Sequence, residues 1–329
     1  MDILKNRYQI IEKLGKGSFG EVYKAYDIKD KKFVAIKRMY YDNEDDKELV
    51  EQELEALKLI SENLNVCNKY AICYKDNFIY NDDMMIVMDY IDGYSLNMYM
   101  NKIALNERNE SESILEDLIV GLGKLHSMGI THQDIKEGNL MYDKVNKRYK
   151  YVDWGAACLK KYCQGIYCDD PPCGYSGTSY TVPPEIKEYG GGNLQSFPME
   201  IAHDIWSLGV VLLNWYTFKD YRDWIKYMTE KNTFARLNEK TAPYYLSQEE
   251  LDKTIDGIDN EIAKKVIKLM LRRDWTERLK NWEKVVTIFI RKKEYEKLYT
   301  KEDLEEEYEQ EPEEYEQEPE KYEEYEEYE

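Results

Sequence analysis

The sequence predicts an α+β chain in two lobes, a small antiparallel strand-rich N-terminal lobe with one helix and a larger, mainly helical C-terminal lobe. Three observations carry this. Short apolar runs alternate with glycine and charge over residues 8–40, the pattern of strands and tight turns. One stretch at 45–61 breaks that pattern with helical spacing. After Gly93 apolar residues recur at helical spacing in one segment after another.

Taken in order, YQIIEKLGKGSFGEVYKAYDIKDKKFVAIKRMY (8–40) reads as three antiparallel strands. DDKELVEQELEALKLIS (45–61) puts Leu49, Leu54, Leu57 and Ile60 on one helix face and leaves Glu48, Glu51 and Glu55 to solvent. Residues 70–91 return to strand composition, with a turn at Asn81-Asp82-Asp83. Helices are expected at 111–129, 200–218, 222–236, 259–272 and 282–298. The division is thus 1–91, 92–299 and a tail, 300–329. The tail repeats EEYEQEP and has no branched apolar residue after Leu304, so it cannot offset the entropy of ordering and is expected to be disordered.

Composition narrows the function. The 329 residues are 43% hydrophobic, enough for a sizeable core. The net charge is −20, but residues 302–329 hold 17 Asp and Glu against one Lys, leaving about −4 for the rest. No basic excess marks a nucleic-acid binder. The longest apolar stretch, 205–216, is too short to span a membrane, and the N-terminus lacks a signal pattern. Six Cys without a signal point to reduced thiols and a cytoplasmic setting, with the nucleus left open. Cys67 and Cys73 are read as core thiols, and the chain as a monomer. The acidic tail reads two ways, as a solubilising segment or as an interaction and autoinhibitory element.

Several motifs carry chemistry. Gly15-Lys16-Gly17-Ser18-Phe19-Gly20-Glu21-Val22 is a G-x-G-x-x-G-x-V loop whose glycines let backbone approach phosphates. Strand-like residues follow it, which favours a lid hairpin over a dinucleotide βαβ turn. Val34-Ala35-Ile36-Lys37 ends a strand on a Lys that needs a partner, and Glu53 on the 45–61 helix is the natural one. His132-Gln133-Asp134-Ile135-Lys136-Glu137-Gly138-Asn139 sets an Asp, a Lys and an Asn at fixed spacing, and Asp153-Trp154-Gly155 comes 19 residues after Asp134. Pro183-Pro184-Glu185, Asp204-Ile205-Trp206-Ser207-Leu208-Gly209 and Arg278 come in order after these.

In these motifs the chain resembles the eukaryotic protein kinase family, Ser/Thr branch, over roughly residues 8–290. The resemblance implies a bilobal fold and ATP and Mg²⁺ as phosphate donor and metal. It implies that Asp134 accepts the substrate hydroxyl proton, Lys136 neutralises the moving phosphate, and the Lys37–Glu53 pair holds the nucleotide phosphates. Asn139 and Asp153 would ligate Mg²⁺. Leu14, Val22, Ala35, Met88 and Leu140 would sandwich the adenine, whose edge meets the backbone of Asp89 and Ile91, under the loop of Gly15, Lys16, Gly17, Ser18, Phe19 and Gly20. Met88 would limit access to a back pocket. Trp154 would pack against His132 and Leu57, Asp204 would hold the backbone of 132–134, and Arg278 would pair with Glu185. Lys136 and Gly177-Thr178 resemble the Ser/Thr type, with protein substrates; a catalytically silent scaffold is the alternative. The low-complexity tail and the abundance of Asn, Lys, Tyr and Ile point to a protozoan or large-DNA-virus source.

Two departures stand out. Gln133 replaces the family's Arg, giving H-Q-D beside D-W-G, and Gln cannot pair with an activation-segment phosphate as Arg does. Independence of that phosphorylation is expected. Cys158, Cys163, Cys168 and Cys173 recur every five residues, either a Zn²⁺ clamp or four unligated, redox-sensitive thiols.

Overall fold

The alternation in the first 90 residues becomes a six-stranded antiparallel sheet in the computed structural model, which describes residues 3–17, 20–40, 43–162, 178, 180–188, 196–219, 246–295 and 298. Its strands are β1 (Ile3–Leu4), β2 (Tyr8–Gly17), β3 (Gly20–Asp27), β4 (Lys32–Met39), β5 (Tyr74–Tyr80) and β6 (Asp83–Asp89), in the order β1-β2-β3-β4-β6-β5. The two-residue turn between β5 and β6 uses Asn81 and Asp82 at φ 50° and 65°, the left-handed pair that matches strand twist. Strand alternation divides the side chains between the two faces of the sheet. On β4, Val34 and Ile36 join Tyr8, Ala25, Met85 and Val87 in a small cluster on one face. Ala35, Lys37 and Met39 therefore point to the other face, toward the first helix.

That helix is α1 (Glu44–Glu62), capped by the Asn43 side chain accepting from the Asp46 amide at 2.8 Å. Val50, Leu54, Leu57 and Ile60 are buried against the sheet. Glu55 corrects the solvated reading: it is half-buried and receives the Lys161 ammonium and the Tyr162 hydroxyl. A short helix that the sequence pattern does not predict, α2 (Leu64–Tyr70), comes next under an Asn63 cap. Across it Cys67 and Cys73 are joined in a disulfide, with Cα atoms 4.9 Å apart, which corrects their reading as reduced core thiols. The loop between α2 and β5 folds back on itself and brings the two sulfurs together. Cys158 is disulfide-bonded too.

The rest of the chain is mainly helical. A ribbon of β7 (Gly93–Ser95), β9 (Leu140–Asp143) and β10 (Arg148–Tyr151) and a two-stranded pair, β8 (Ile130–Thr131) with β11 (Cys158–Leu159), lie among α3 (Leu96–Met100), α4 (Leu105–Glu110), α5 (Ser113–Ser127), α6 (Pro184–Glu188), α7 (Phe197–Thr217), α8 (Gln248–Asp256), α9 (Glu261–Met270), α10 (Trp275–Val286) and α11 (Lys292–Tyr295). α7 is the axis, with every residue from Glu200 to Tyr216 buried and α5, α9 and α10 packed on it. Arg108 closes its C-terminal end, donating to the carbonyls of Trp215, Phe218 and Lys219 at 2.7, 2.6 and 2.6 Å. α8 is not foreseen by the sequence reading. The helix expected at 282–298 instead starts at Trp275, where the Asp274 side chain caps the Thr276 amide, and breaks after Val286. The helix expected at 222–236 and the tail lie outside the described residues. Among the described residues no helix is long and apolar enough to cross a membrane.

Glu200 on α7 is fully buried, and neither carboxylate oxygen has a hydrogen-bond partner among the described residues. Burial, with the Asp204 charge one turn on, pushes its carboxyl up from 4.5 to about 8. The folded value lies above the unfolded one, so the fold holds the protonated form; stability is undiminished below about pH 4.5 and falls as the pH rises toward about 8. Glu200→Gln is expected to stabilise the protein on the order of 2–3 kcal/mol at neutral pH and far less at acid pH. Urea unfolding of both forms at pH 5 and pH 8 checks this.

Candidate active site

The cleft between the sheet and the helical part has a volume of about 510 Å³. Its walls are apolar on one side, with Leu14, Val22, Ala35, Met88 and Ile91, and its inner end carries Lys37, Glu53, Asn139 and Asp153. Gly15, Lys16 and Gly20 line the mouth. Gly17 ends β2 opposite Gly20, and Ser18 and Phe19 lie outside the described residues. Gly20 is required at φ 151°, because a Cβ there would lie 1.9 Å from the Arg38 carbonyl oxygen. Leu140 is a correction. Its side chain is fully buried in the core, and its neighbour Met141 lines the cleft in its place. β9 presents alternate residues to its two faces, so the pair Leu140-Met141 can send only one of them to the cleft.

Lys37, Glu53 and Asp153 form one ionic cluster. The Lys37 ammonium donates to both Glu53 oxygens at 2.7 Å and to Asp153 Oδ1 at 2.7 Å. Burial alone would drive Lys37 toward neutrality, but the two carboxylates hold it charged above its usual range. Desolvation by the cleft walls works against ionisation of Asp153, yet the Lys37 charge keeps that carboxyl below its usual range. Burial pushes Glu53 up, with Lys37 drawing it back. The Asp153 side chain stays 45% exposed, so this carboxylate faces the open cleft. Its backbone sits at φ 67°, a left-handed position that aims the side chain back at Lys37. Behind it Trp154 is fully buried, with its ring 4.7 Å from that of His132.

The second cluster is built on Asp134. Its Oδ2 accepts from Lys136 Nζ at 2.7 Å and from Asn139 Nδ2 at 2.9 Å, while Oδ1 accepts from the Thr178 hydroxyl at 2.8 Å. Three donors therefore fix the carboxylate in one orientation. The backbone before it hangs on Asp204, which accepts from the amides of His132 and Gln133 at 2.7 and 2.9 Å and faces His126 Nε2 at 3.0 Å. His132 Nε2 also reaches the Val152 carbonyl at 3.1 Å, which ties this loop to the strand end that carries Asp153. Gln133, at φ 60°, turns inward and donates from Nε2 to the Glu200 carbonyl at 3.0 Å. Lower down, buried Arg278 pairs with Glu185 and donates to the Ala202 carbonyl at 3.0 Å.

The structure thus brings together Lys37, Glu53 and Asp153 in the cleft, and separately Asp134, Lys136, Asn139 and Thr178; Asn139, which lines the cleft and donates to Asp134, joins the two groups. Of the four cysteines read either as a zinc clamp or as free thiols, one is described, and it fits neither reading. The Cys158 sulfur is in a disulfide and is no thiolate ligand; Cys163, Cys168 and Cys173 lie outside the described residues. Among the described residues no group of three or more His, Cys, Asp and Glu is placed to hold a metal ion. Sequence reasoning gives Glu137 no role, yet its buried carboxylate receives Tyr180 and Asn214. The available signal is its charge, at a loop position flanked by Lys136 and Gly138.

Comparison with known proteins bears on the family and the fold. Residues 8–289 match the family model described as protein kinase domain. The serine/threonine-protein kinase pakH of Dictyostelium discoideum is 31% identical over 207 residues, 63% of this chain and 36% of that protein. STE20 of Saccharomyces cerevisiae, also a serine/threonine-protein kinase, is 30% identical over 211 residues, 63% of this chain and 20% of that one. The chain spans about a third or less of the length of these relatives. A crystal structure of a kinase domain superposes with a TM-score of 0.59 at 19% identity, covering 84% of this chain and 92% of that one.

Asp204→Ala leaves the amides of His132 and Gln133 without their acceptor in a buried place. The expected cost is about 3–5 kcal/mol, read by urea unfolding. Asp204→Asn, which retains one acceptor oxygen, is expected to lose less.

Proposed function

The chain belongs to the protein kinase family, and from that premise we propose that it transfers the γ-phosphate of ATP to serine and threonine hydroxyls of protein substrates. The observation that carries the reading is the Asp134 carboxylate, oriented by Lys136, Asn139 and Thr178, with Asn139 lining the cleft that holds the Lys37–Glu53–Asp153 cluster. Phosphoryl transfer asks a protein mostly for positioning and charge neutralisation. Asp134 stands ready to orient a hydroxyl and take its proton. Lys136, on the same carboxylate, offers positive charge beside it. Lys37, kept charged by its two carboxylates, would hold nucleotide phosphates, and α1 holds Lys37 through Glu53.

The cleft fits the nucleotide and its metal. Apolar walls at Val22, Ala35, Met88 and Met141 suit a base, and the charged end suits phosphates. Asp89 and Ile91 line the cleft, and their backbone groups would read a base edge. Asp153 and Asn139 supply the hard oxygens that Mg²⁺ takes. When bound, Mg²⁺ would neutralise charge on the phosphate oxygens. Lys136 and Thr178 support Ser/Thr rather than Tyr substrates.

The inward turn of Gln133 supports a further part of the reading, that activity does not wait on phosphorylation of the activation segment. An uncharged side chain engaged with the Glu200 carbonyl offers a phosphate no charged partner. A monomer is the expected acting form.

Labelled ATP with Mg²⁺ and myelin basic protein tests the proposal. Wild type is expected to transfer label onto Ser and Thr, with Asp153→Asn reduced by about 10²-fold or more. No transfer would leave the silent-scaffold reading. Phosphatase treatment is expected to leave the wild-type rate unchanged; its loss would overturn the role given to Gln133.

A further inference from the structure

Glu137 has no part in the chemistry above, yet it sits in the middle of it. It comes directly after Lys136 and lies two residues before Asn139, in the short 3₁₀ turn 137–139. Its side chain is fully buried. Two elements reach it there. The Tyr180 hydroxyl donates to Oε2 at 2.9 Å, and Asn214 of α7 donates from Nδ2 to Oε1. A carboxylate buried this deeply is costly unless directed hydrogen bonds meet it, and both oxygens are met.

Tyr180 stands on the same short segment as two other contacts. Thr178 donates to Asp134 Oδ1 at 2.8 Å, and the Thr181 carbonyl accepts from Ser207 of α7 at 2.9 Å. The segment is therefore fixed to the catalytic loop at two points, one on the base itself and one on Glu137, with α7 behind both. Through Thr178 the segment lies directly beside the Asp134 carboxylate, so a hydroxyl brought to that carboxylate arrives next to it. An error of about 1 Å in its placement is enough to lower the rate strongly.

We propose that Glu137 is a positioning residue for the protein substrate, holding Thr178 and residues 180–182 in register with Asp134 through Tyr180 while Asn214 fixes the carboxylate to α7. The inference rests on the kinase reading given above. Its signature is selective. The nucleotide side of the cleft, at Lys37, Met88 and Asp89, is not touched by this contact.

The test is steady-state phosphorylation of myelin basic protein by wild type, Tyr180→Phe, Glu137→Ala, the double variant and Glu137→Gln, with melting temperatures alongside. Tyr180→Phe, which loses one hydrogen bond, is expected to raise KM for the protein substrate about tenfold while KM for ATP stays within about twofold, and Glu137→Ala, which frees Asn214 as well, to raise it at least as much with the same selectivity. The double variant is expected to be no worse than Glu137→Ala. Glu137→Gln is expected to recover most of the effect, since its carbonyl still accepts from Tyr180 and its amide can donate to a turned Asn214. If Glu137→Ala does not fold, Tyr180→Phe against wild type decides. An unchanged protein-substrate KM in Tyr180→Phe would overturn the inference, as would a rise in both KM values that tracks the loss in melting temperature. Absence of transfer by wild type would instead overturn the kinase reading, and the inference with it.

Discussion

One buried carboxylate suspends the loop of residues 132–139. Asp204 lies on α7, against which α5, α9 and α10 pack, and it takes the amides of His132 and Gln133 on its two oxygens. These amides have no strand or helix to pair with, so without Asp204 they would be stranded in the core. The rest of the loop inherits that anchor. Asp134 is the next residue, Lys136 and Asn139 are held to Asp134, and His132 reaches on to the Val152 carbonyl beside Asp153. A rigid helix thereby sets the placement of loop residues some distance from its own axis.

The strand-rich half joins this frame through charge rather than apolar packing alone. Lys37 takes its direction from β4, where alternation sends it toward α1, and Glu53 takes its own from the apolar phase of α1. Buried ion pairs add little net stability, because desolvation consumes most of the attraction. Their value lies in direction. The Lys37 ammonium meets Glu53 from one half and Asp153 from the other only when the sheet, α1 and the segment at Asp153 share one geometry. Gln52, donating to the Ala157 carbonyl, adds a second tie between α1 and the segment after Asp153.

Much of this is legible in the residues. Asp134, Lys136, Asn139 and Asp153 are legible through the resemblance of their two motifs to those of protein kinases, which implies a role for each. Lys37 and Glu53 emerge from strand and helix phase. The hidden part depends on tertiary choices that leave no local trace. Leu140 and Met141 are both apolar, and only the pairing of β9 between β7 and β10 decides which one faces the cleft. Cys67 and Cys73 look like core residues because they are buried; their disulfide depends on how the loop after α2 folds back. α2 and α8 escape a periodicity reading because helices of seven and nine residues show too few turns to register. Glu137 is easily passed over because a Glu beside a Lys reads as a solvated pair, whereas α7 and Tyr180 enclose it.

Three methionines, Met88, Met98 and Met141, line the cleft, one from the sheet and two from beyond it. Thioether side chains are flexible and polarisable, and they reshape at small cost. In pharmacological terms, these walls would discriminate poorly among flat heteroaromatic inhibitors, accepting many outlines with similar affinity. Selective compounds would have to exploit the stiffer features, above all the Tyr94 ring at the cleft mouth, where the Lys102 and Lys144 ammonium groups stand over it at 4.6 and 5.1 Å.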